Sequence, residues 1–307
     1  MTTELRRRIL EALSETATAA PYALIDYPNY LNPGDAAIWL GARRVLEALN
    51  GRPPAYTSTL RGFSATRCRR AIGTGTVYFL GGGNFGDLYP RHQRMRLNVL
   101  RSLPDNAIVQ LPMSCAMAAS NDLNLLGETR ALYRGRSSIR IFARDMGAQA
   151  VLQECFGLQS VLCADLSHML DFPILPARLD VVRLMRRDPE TLVPNSISAP
   201  DWRDMRGQRF ANRLGKLFLA LAPPSYRGPA QDRVAMWKVH QAVAMLAEGR
   251  VVETDRLHAA LLAMAMGRQV VLHDNSTGKV LSYCRTWRAL LPEGALRQPA
   301  LAPGGMP

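Results

Sequence analysis

The sequence predicts an α/β protein of two domains with a cleft between them, on three observations. An apolar strand, a glycine-containing loop and a helix occupy residues 22–49 and the pattern then recurs, which is the starting unit of a doubly wound sheet. Pro173 and Pro176 punctuate the stretch 172–177, and a second series of strands and helices begins beyond it. The length of 307 residues is long for one domain and comfortable for two.

In order, residues 1–17 read as a short amphipathic helix with Ile9, Leu10 and Leu13 on one side. Residues 22–26 (YALID) read as a buried strand and 27–35 (YPNYLNPGD) as a turn-rich loop. A helix from about 36 to 49 follows, with Ile38, Val45, Leu46 and Leu49 apolar and Gly51 as its stop. Residues 76–80 (TVYFL) are β-branched and aromatic, hence a strand. They run into the loop 81–87 (GGGNFGD), and then into a helix with Met95, Leu97, Val99 and Leu100. Further strands are 107–111, ended by Pro112, then 139–143, followed by Arg144, Asp145 and a helix to about Phe156, and 160–164, followed by Asp165. Beyond the prolines, strands are expected at 181–185, 251–253 and 269–272, and helices at 233–248 and 257–266. Residues 188–210 are polar and irregular, and the Pro/Gly-rich tail 298–307 is expected to fray. No internal repeat occurs. The predicted domains are 1–175 and 176–307.

Hydrophobic residues make up 48% of the chain and charged residues 21%, enough for a sizeable core. No apolar run reaches the length of a membrane-spanning helix, and the first residues lack the apolar stretch of a secretory signal, so a cytoplasmic protein is expected. Cys68, Cys115, Cys155, Cys163 and Cys284 are odd in number and scattered, which disfavours disulfides and zinc. Cys115 beside Ser114 is the one candidate for a functional thiol. The net charge is +13, and of the 38 basic residues only Lys216, Lys238 and Lys279 are lysine. Such a surface favours nucleic acid, anionic lipid or anionic substrates, and arginine suits carboxylates and phosphates through its planar fork. No basic stripe with interleaved aromatics accompanies the charge, and aromatic content is 7%. Nucleic-acid binding is therefore not expected.

Ligands of open α/β sheets bind beyond the carboxyl ends of the strands, which selects a few loops. In Asn32-Pro33-Gly34-Asp35, glycine permits tight geometry and Asp35 is placed to cap a helix. In 81–87, Gly82 and Gly83 with Asn84 let the backbone approach a ligand, and Asp87 follows. The spacing is neither a dinucleotide fingerprint nor a phosphate loop. Pro112-Met113-Ser114 and Arg144-Asp145 come at two further strand ends, with Arg144 a candidate anion anchor. In 251–258 (VVETDRLH), Thr254 or Asp255 is expected to cap the helix from Leu257. Arg256 and His258 then fall in the first turn, where unpaired N–H groups and the helix dipole favour an anion. His92, His168, His240 and His273 lack such surroundings and are read as structural. Finally, 273–279 (HDNSTGK) is a polar loop with Asn275 and Ser276, whose Lys279 is placed to reach a phosphate.

Taken in order, NPGD at 32–35, GGGNFGD at 81–87, Pro112 to Ser114, Arg144-Asp145, DRLH at 255–258 and DNSTGK at 274–279, with Trp287 downstream, resemble the polysaccharide pyruvyl transferase family. The resemblance is closest to members that decorate exopolysaccharides, and it spans roughly residues 22 to 290. It implies two Rossmann-like domains in a glycosyltransferase-B-like arrangement, with residues 1–175 on the acceptor side and 176–307 on the donor side. It implies phosphoenolpyruvate as co-substrate, no cofactor, and a lipid-linked saccharide acceptor; the chemistry requires no metal, and the basic surface then suits contact with the inner membrane leaflet. It places Arg256, Leu257, His258 and Arg144 around the donor. Met113 stands where the family often has glutamine, so a contact from that side chain is lost.

The chemistry expected is proton transfer to the donor's methylene carbon, for which a group with a pKa near neutral is suited. His258 is the candidate. Asp35 and Asp87 are candidates to orient or deprotonate acceptor hydroxyls. The alternative is a nucleotide-sugar-dependent glycosyltransferase of similar architecture, for which no nucleotide site is legible.

Overall fold

A computed structural model of the chain describes residues 3–118, 122–187, 190–192, 200–204, 208–223, 226–292, 296 and 297. The frayed tail expected at 298–307 and much of the irregular stretch 188–210 lie outside these residues.

Helix α1 (Thr3–Ser14) buries Leu5, Ile9 and Leu13 at the spacing of one helical face. Then come β1 (Ala23–Tyr27), α2 (Pro33–Asn50), β2 (Tyr56–Thr59), α3 (Ala65–Ile72), β3 (Val77–Phe79), β4 (Gly82–Phe85) and α4 (Pro90–Ser102). These lead to β5 (Ile108–Cys115), α5 (Leu123–Arg134), β6 (Ile139–Ala143), α6 (Met146–Val151) and β7 (Val161–Leu162). The strands form one parallel sheet in the order β2-β1-β3-β5-β6-β7, with β4 also paired to β5. The glycine stretch after β3 therefore differs from the loop expected. It holds pairing with β5 as β4, and Gly81 permits this because a Cβ there would fall 2.1 Å from the carbonyl oxygen of Pro112. β5 also continues through Pro112, where the sequence predicts its end, because its register with β6 shifts between Gln110 and Met113, an irregularity of the kind that accommodates proline.

The second half holds β8 (Leu179–Leu184), α7 (Gln208–Leu221), α8 (Arg227–Ala247), β9 (Gly249–Thr254), α9 (Leu257–Ala265), β10 (Gln269–Leu272), α10 (Lys279–Trp287) and β11 (Leu296–Arg297). Its four strands are also parallel, in the order β11-β10-β9-β8.

One core lies on the outer face of the first sheet, around Ile25, Phe79, Phe85 and Phe156. The other runs from α1 and α2 into the second sheet, joining Leu5, Trp39 and Leu46 to Val252, Leu262 and Tyr283. Polar ties reinforce this junction. Trp39 Nε1 and Arg43 Nε donate to Asp232 of α8, and Lys238 Nζ donates to the carbonyls of Pro28 and Tyr30. The loop before α2 is thereby fixed to α8. The carboxyl ends of both sheets face a common cavity.

Candidate active site

The cavity has a volume of about 330 Å³ and is fed by strand ends from both sheets, at the lower end of the roughly 300–1,000 Å³ typical of ligand pockets. From the first half come Tyr30, Asn32 and Asp35 after β1, Gly83 and Asn84 in β4, Tyr89 and His92 before and within α4, and Arg144 after β6. From the second half come Arg186 after β8, Glu190, Asp201 and Trp202, then Arg256 and His258 around the start of α9, and Lys279 at the start of α10. Four cations thus meet three carboxylates in one space.

Arg144 is the best anchored of the cations. Its Nε donates to Ser114 Oγ at 2.7 Å and its Nη1 to Asp165 Oδ2 at 2.8 Å, while its carbonyl accepts Trp287 Nε1 at 2.7 Å. The Ser114 hydroxyl in turn donates to Asp145. Nη2 takes part in none of these bonds and lies beside Gly83, where a Cβ would stand 3.3 Å from it and 3.4 Å from Lys279 Nζ. The absent side chain of Gly83 leaves the space in which two cations converge.

His258 is held by the same carboxylate. Its Nε2 lies 3.1 Å from Asp165 Oδ2. Asp165 is fully buried, accepts the N–H of Ser167 at 3.0 Å, and donates its own N–H to the Tyr283 hydroxyl at 3.0 Å. Burial by itself raises that carboxyl. The charges of His258 and Arg144 and the hydrogen bonds outweigh it and hold Asp165 well below the usual carboxylate range. Behind this, His168 Nε2 pairs with the Tyr283 hydroxyl at 2.7 Å, and burial pushes His168 down to about 4. Gly34 packs against the other edge of His258, where a Cβ would fall 2.5 Å from Nδ1.

Arg256 Nη2 donates to the buried Asp201 at 2.6 Å. Lys279 Nζ donates to Glu190, which also receives Tyr89 Oη, Asn275 Nδ2 at 3.2 Å and Arg186 Nη1 at 3.1 Å. Burial lowers Lys279. Burial raises Glu190, but Lys279 and Arg186 overcome it and leave the carboxyl below its ordinary value. Asp35 accepts Tyr30 Oη and Asn32 Nδ2, each at 2.8 Å. His92 Nδ1 lies 2.8 Å from Asp26 Oδ2 and 3.2 Å from Asn84 Nδ2. Asp26 is buried at the end of β1 with φ +80°, the one non-glycine residue with positive φ among the described residues. Such strain concentrates at functional sites.

Among the residues singled out from sequence, Asn32, Asp35, Gly83, Asn84, Arg144, Arg256, Leu257, His258 and Lys279 line the cavity. Others stand behind it. Gly34 backs His258, Gly82 (φ +120°) lies against Asp35, Ser114 holds Arg144 and Asn275 holds Glu190. Ser276 is exposed, and only its N–H reaches Glu190. Asp87 is a correction. Both its oxygens are taken by the N–H groups of Ala118 and Asp122, at 2.6 and 2.7 Å, so it clamps a loop and does not face the cavity. The caps also differ from expectation. Asn32 caps α2, with Asp35 in the first turn. Arg256 occupies the cap position of α9, because Thr254 Oγ1 is engaged with Leu184 and the Arg256 N–H, and Asp255 with the N–H of Arg186. His92, read as structural, lines the cavity. Burial pushes the Cys115 thiol far up, so it is no ready thiolate. Sequence reasoning missed Tyr30, Tyr89, Arg186, Glu190, Asp201 and Trp202 as lining residues. It also passed over Asp165, although an acid directly after an apolar strand was the available signal.

Among the described residues no three metal-binding side chains cluster, and no helix is long and apolar enough to cross a membrane.

Comparison with known proteins agrees in one direction. The model of the family described as polysaccharide pyruvyl transferase matches residues 32–277. Pyruvyl transferase 1 of Schizosaccharomyces pombe is 30% identical over 282 residues, 86% of this chain and 69% of that protein. The putative pyruvyl transferase EpsO of Bacillus subtilis is 28% identical over 241 residues, 74% of each. A crystal structure of an uncharacterized protein from Klebsiella pneumoniae covers 98% of this chain and 100% of its own, with a TM-score of 0.63 at 17% identity, a likeness of fold alone.

Proposed function

The chain belongs to the polysaccharide pyruvyl transferase family, and from that membership we propose that it moves the pyruvyl unit of phosphoenolpyruvate onto a sugar of an exopolysaccharide, or of its lipid-linked repeat unit, closing a pyruvate ketal there. Membership makes it a pyruvyl transferase with a saccharide acceptor. The donor, the ketal and the lipid linkage are the proposal, as are a cytoplasmic setting at the inner leaflet and the glycosyltransferase-B-like pairing of two Rossmann-like domains, 1–175 and 176–307.

The observation that carries the reading is the convergence of Arg144, Arg256 and Lys279 with His258 on one small cavity. Each cation is already held by a carboxylate, which fixes its direction. Arginine keeps further donors for a second anion while one nitrogen holds the first. The donor's phosphate and carboxylate are two anions on a three-carbon skeleton, and they call for such a cluster.

The steps follow. With Nε2 committed to Asp165, the Nδ1 of protonated His258 is the nitrogen left to give its proton to the donor's methylene carbon. The C=C electrons form that C–H bond, and the central carbon becomes cationic. A sugar hydroxyl attacks it and loses its proton to a base, with Asp35 the candidate. The C–O bond to phosphate then breaks, phosphate leaves, and a second hydroxyl closes the ring as its proton is lost. Positioned proton transfer of this kind typically contributes about 10²- to 10⁴-fold.

The test is incubation with phosphoenolpyruvate and a panel of aryl and lipid-linked sugars, reading phosphate release and a pyruvylated product by mass spectrometry. Product formation that disappears in Arg256→Ala and His258→Ala is expected. Turnover of UDP- or GDP-sugars with none of phosphoenolpyruvate overturns the proposal.

A further inference from the structure

The helix that leads away from the cavity carries an apolar stripe facing outward. Asp201 and Trp202 line the cavity, the short turn Trp202–Asp204 follows, and α7 begins at Gln208. One face of α7 is packed. Gly215 lies against α8, where a Cβ would stand 3.0 Å from Val234 Cγ1, and Leu219 and Ala222 are buried. The other face is open. Leu214, Leu217, Phe218 and Leu221 are 50%, 56%, 41% and 75% exposed. Positions i, i+3, i+4 and i+7 fall on one side of a helix, so these four form a single stripe that no described residue covers. Scattered exposed leucines are ordinary, whereas a contiguous stripe marks an interaction surface.

The charge on the same helix says what kind of partner fits. The sequence of α7, QRFANRLGKLFLAL, has no aspartate or glutamate and has Arg209, Arg213 and Lys216. Arg213 and Lys216 are exposed; at 100° per residue Arg213 falls about 40° beyond Leu217, on the flank of the stripe, whereas Lys216 lies about 100° from Leu217, nearer the packed face. An acid-free helix with Leu and Phe on one face and Arg at its flank, on a chain of net charge +13, has the make-up of an interfacial membrane helix. A second copy of this chain is a poorer partner, since each copy bears a net charge of +13 and the two repel.

We propose that α7 docks the protein on an anionic lipid surface. Leu214, Leu217, Phe218 and Leu221 enter the acyl boundary, Arg213 meets lipid phosphates, and Lys216 adds to the attraction at longer range. Docking there anchors at the bilayer, where a sugar carried on a lipid is presented, the segment that begins with the cavity-lining Asp201 and Trp202. That last consequence rests on the lipid-linked acceptor proposed above; the docking itself does not.

Sedimentation of the full chain with phosphatidylcholine vesicles, with and without phosphatidylglycerol, tests the proposal. Binding is expected only with phosphatidylglycerol and is weakened by added salt. Leu217→Glu/Phe218→Glu is expected to lose about tenfold or more in vesicle affinity. Arg213→Gln/Lys216→Gln is expected to bind more weakly and with a shallower salt dependence. All four residues are exposed, and unchanged thermal melting checks that the variants fold. Turnover of a water-soluble aryl sugar is expected to be equal in the parent and in the Leu217→Glu/Phe218→Glu variant. Failure of the parent to sediment with phosphatidylglycerol, or undiminished sedimentation of the Leu217→Glu/Phe218→Glu variant, overturns the docking. So does a dimer by light scattering that this variant dissolves while no vesicle binding is seen. Vesicle binding without any turnover of phosphoenolpyruvate leaves the docking standing and overturns the proposed reaction.

Discussion

Gly34→Ala makes a sharp test of the site because helix propensity and packing push it in opposite directions. Gly34 lies in the first turn of α2, and its φ is not in the left-handed region. Exchange of glycine for alanine within a helix gains up to about 1 kcal/mol. The added Cβ, however, would fall 2.5 Å from His258 Nδ1 and 2.6 Å from its Cβ and Cγ, distances that no repulsive wall tolerates. The ring must move, and its bond to Asp165 must lengthen or break. Overpacking of this kind costs about 1 to 3 kcal/mol, which leaves stability slightly lowered and the fold intact. The effect on turnover is far larger if His258 carries the proton. Its ceiling is the loss of general acid catalysis, about 10² to 10⁴ in kcat, equal to about 3 to 5 kcal/mol of barrier. The assay is steady-state phosphate release for Gly34→Ala, His258→Ala and the double variant, with urea denaturation alongside. The double variant is expected to be no slower than His258→Ala alone, because both act on one group. Additive losses, or a Gly34→Ala protein with unchanged kcat, refute the reasoning.

Three further outcomes follow from the same geometry. In Gly83→Ala the new Cβ crowds Arg144 Nη2 and Lys279 Nζ at 3.3 and 3.4 Å, so the donor KM should rise several-fold with melting little changed; an unchanged KM removes the donor from that corner. Asp165→Asn takes the charge from a buried site between Arg144 and His258, and breaking such a buried arrangement costs about 3 to 5 kcal/mol, measurable by urea denaturation; a loss below about 1 kcal/mol would class the pair with exposed ones. His168 sits at about 4 in the fold against an ordinary value of 6.5. Between those two pH values the unfolded chain takes up a proton that the native chain refuses. Stability should therefore be full above pH 6.5 and fall towards pH 4, by up to about 3 kcal/mol. His168→Gln should flatten that slope in urea titrations at several pH values, and an identical slope in the variant places its origin elsewhere.

Which parts of this arrangement can be read from the chain depends on how local their causes are. The strand ends are local. A run such as residues 139–143 followed by Arg144-Asp145, or 251–254 followed by Arg256 and His258, announces both the element and the direction in which its polar residues face. Asp26 and Asp165 obey the same rule, each directly beyond or within the end of an apolar strand, and attention to acids as well as to glycines and cations would have found them. The rest is set by closure of the fold. Glu190 lies in a stretch with no periodicity, and it becomes part of the cavity because Lys279, Tyr89 and Asn275 reach it from far along the chain. Asp201 matters through Arg256, and His92 through Asp26, 66 positions away. Asp87 shows the converse. An aspartate after a glycine loop serves equally to bind a ligand or to clamp backbone N–H groups, and only the position of Ala118 and Asp122 decides for the clamp. The carboxylates absent from the sequence reading are the ones that hold the cations in place. A cluster of arginine and lysine in a small cavity is stable before any ligand arrives only when buried acids accompany it. Each cation found at a strand end therefore implies a partner elsewhere in the chain, and searching for that partner is the step that extends such a reading from elements to a site.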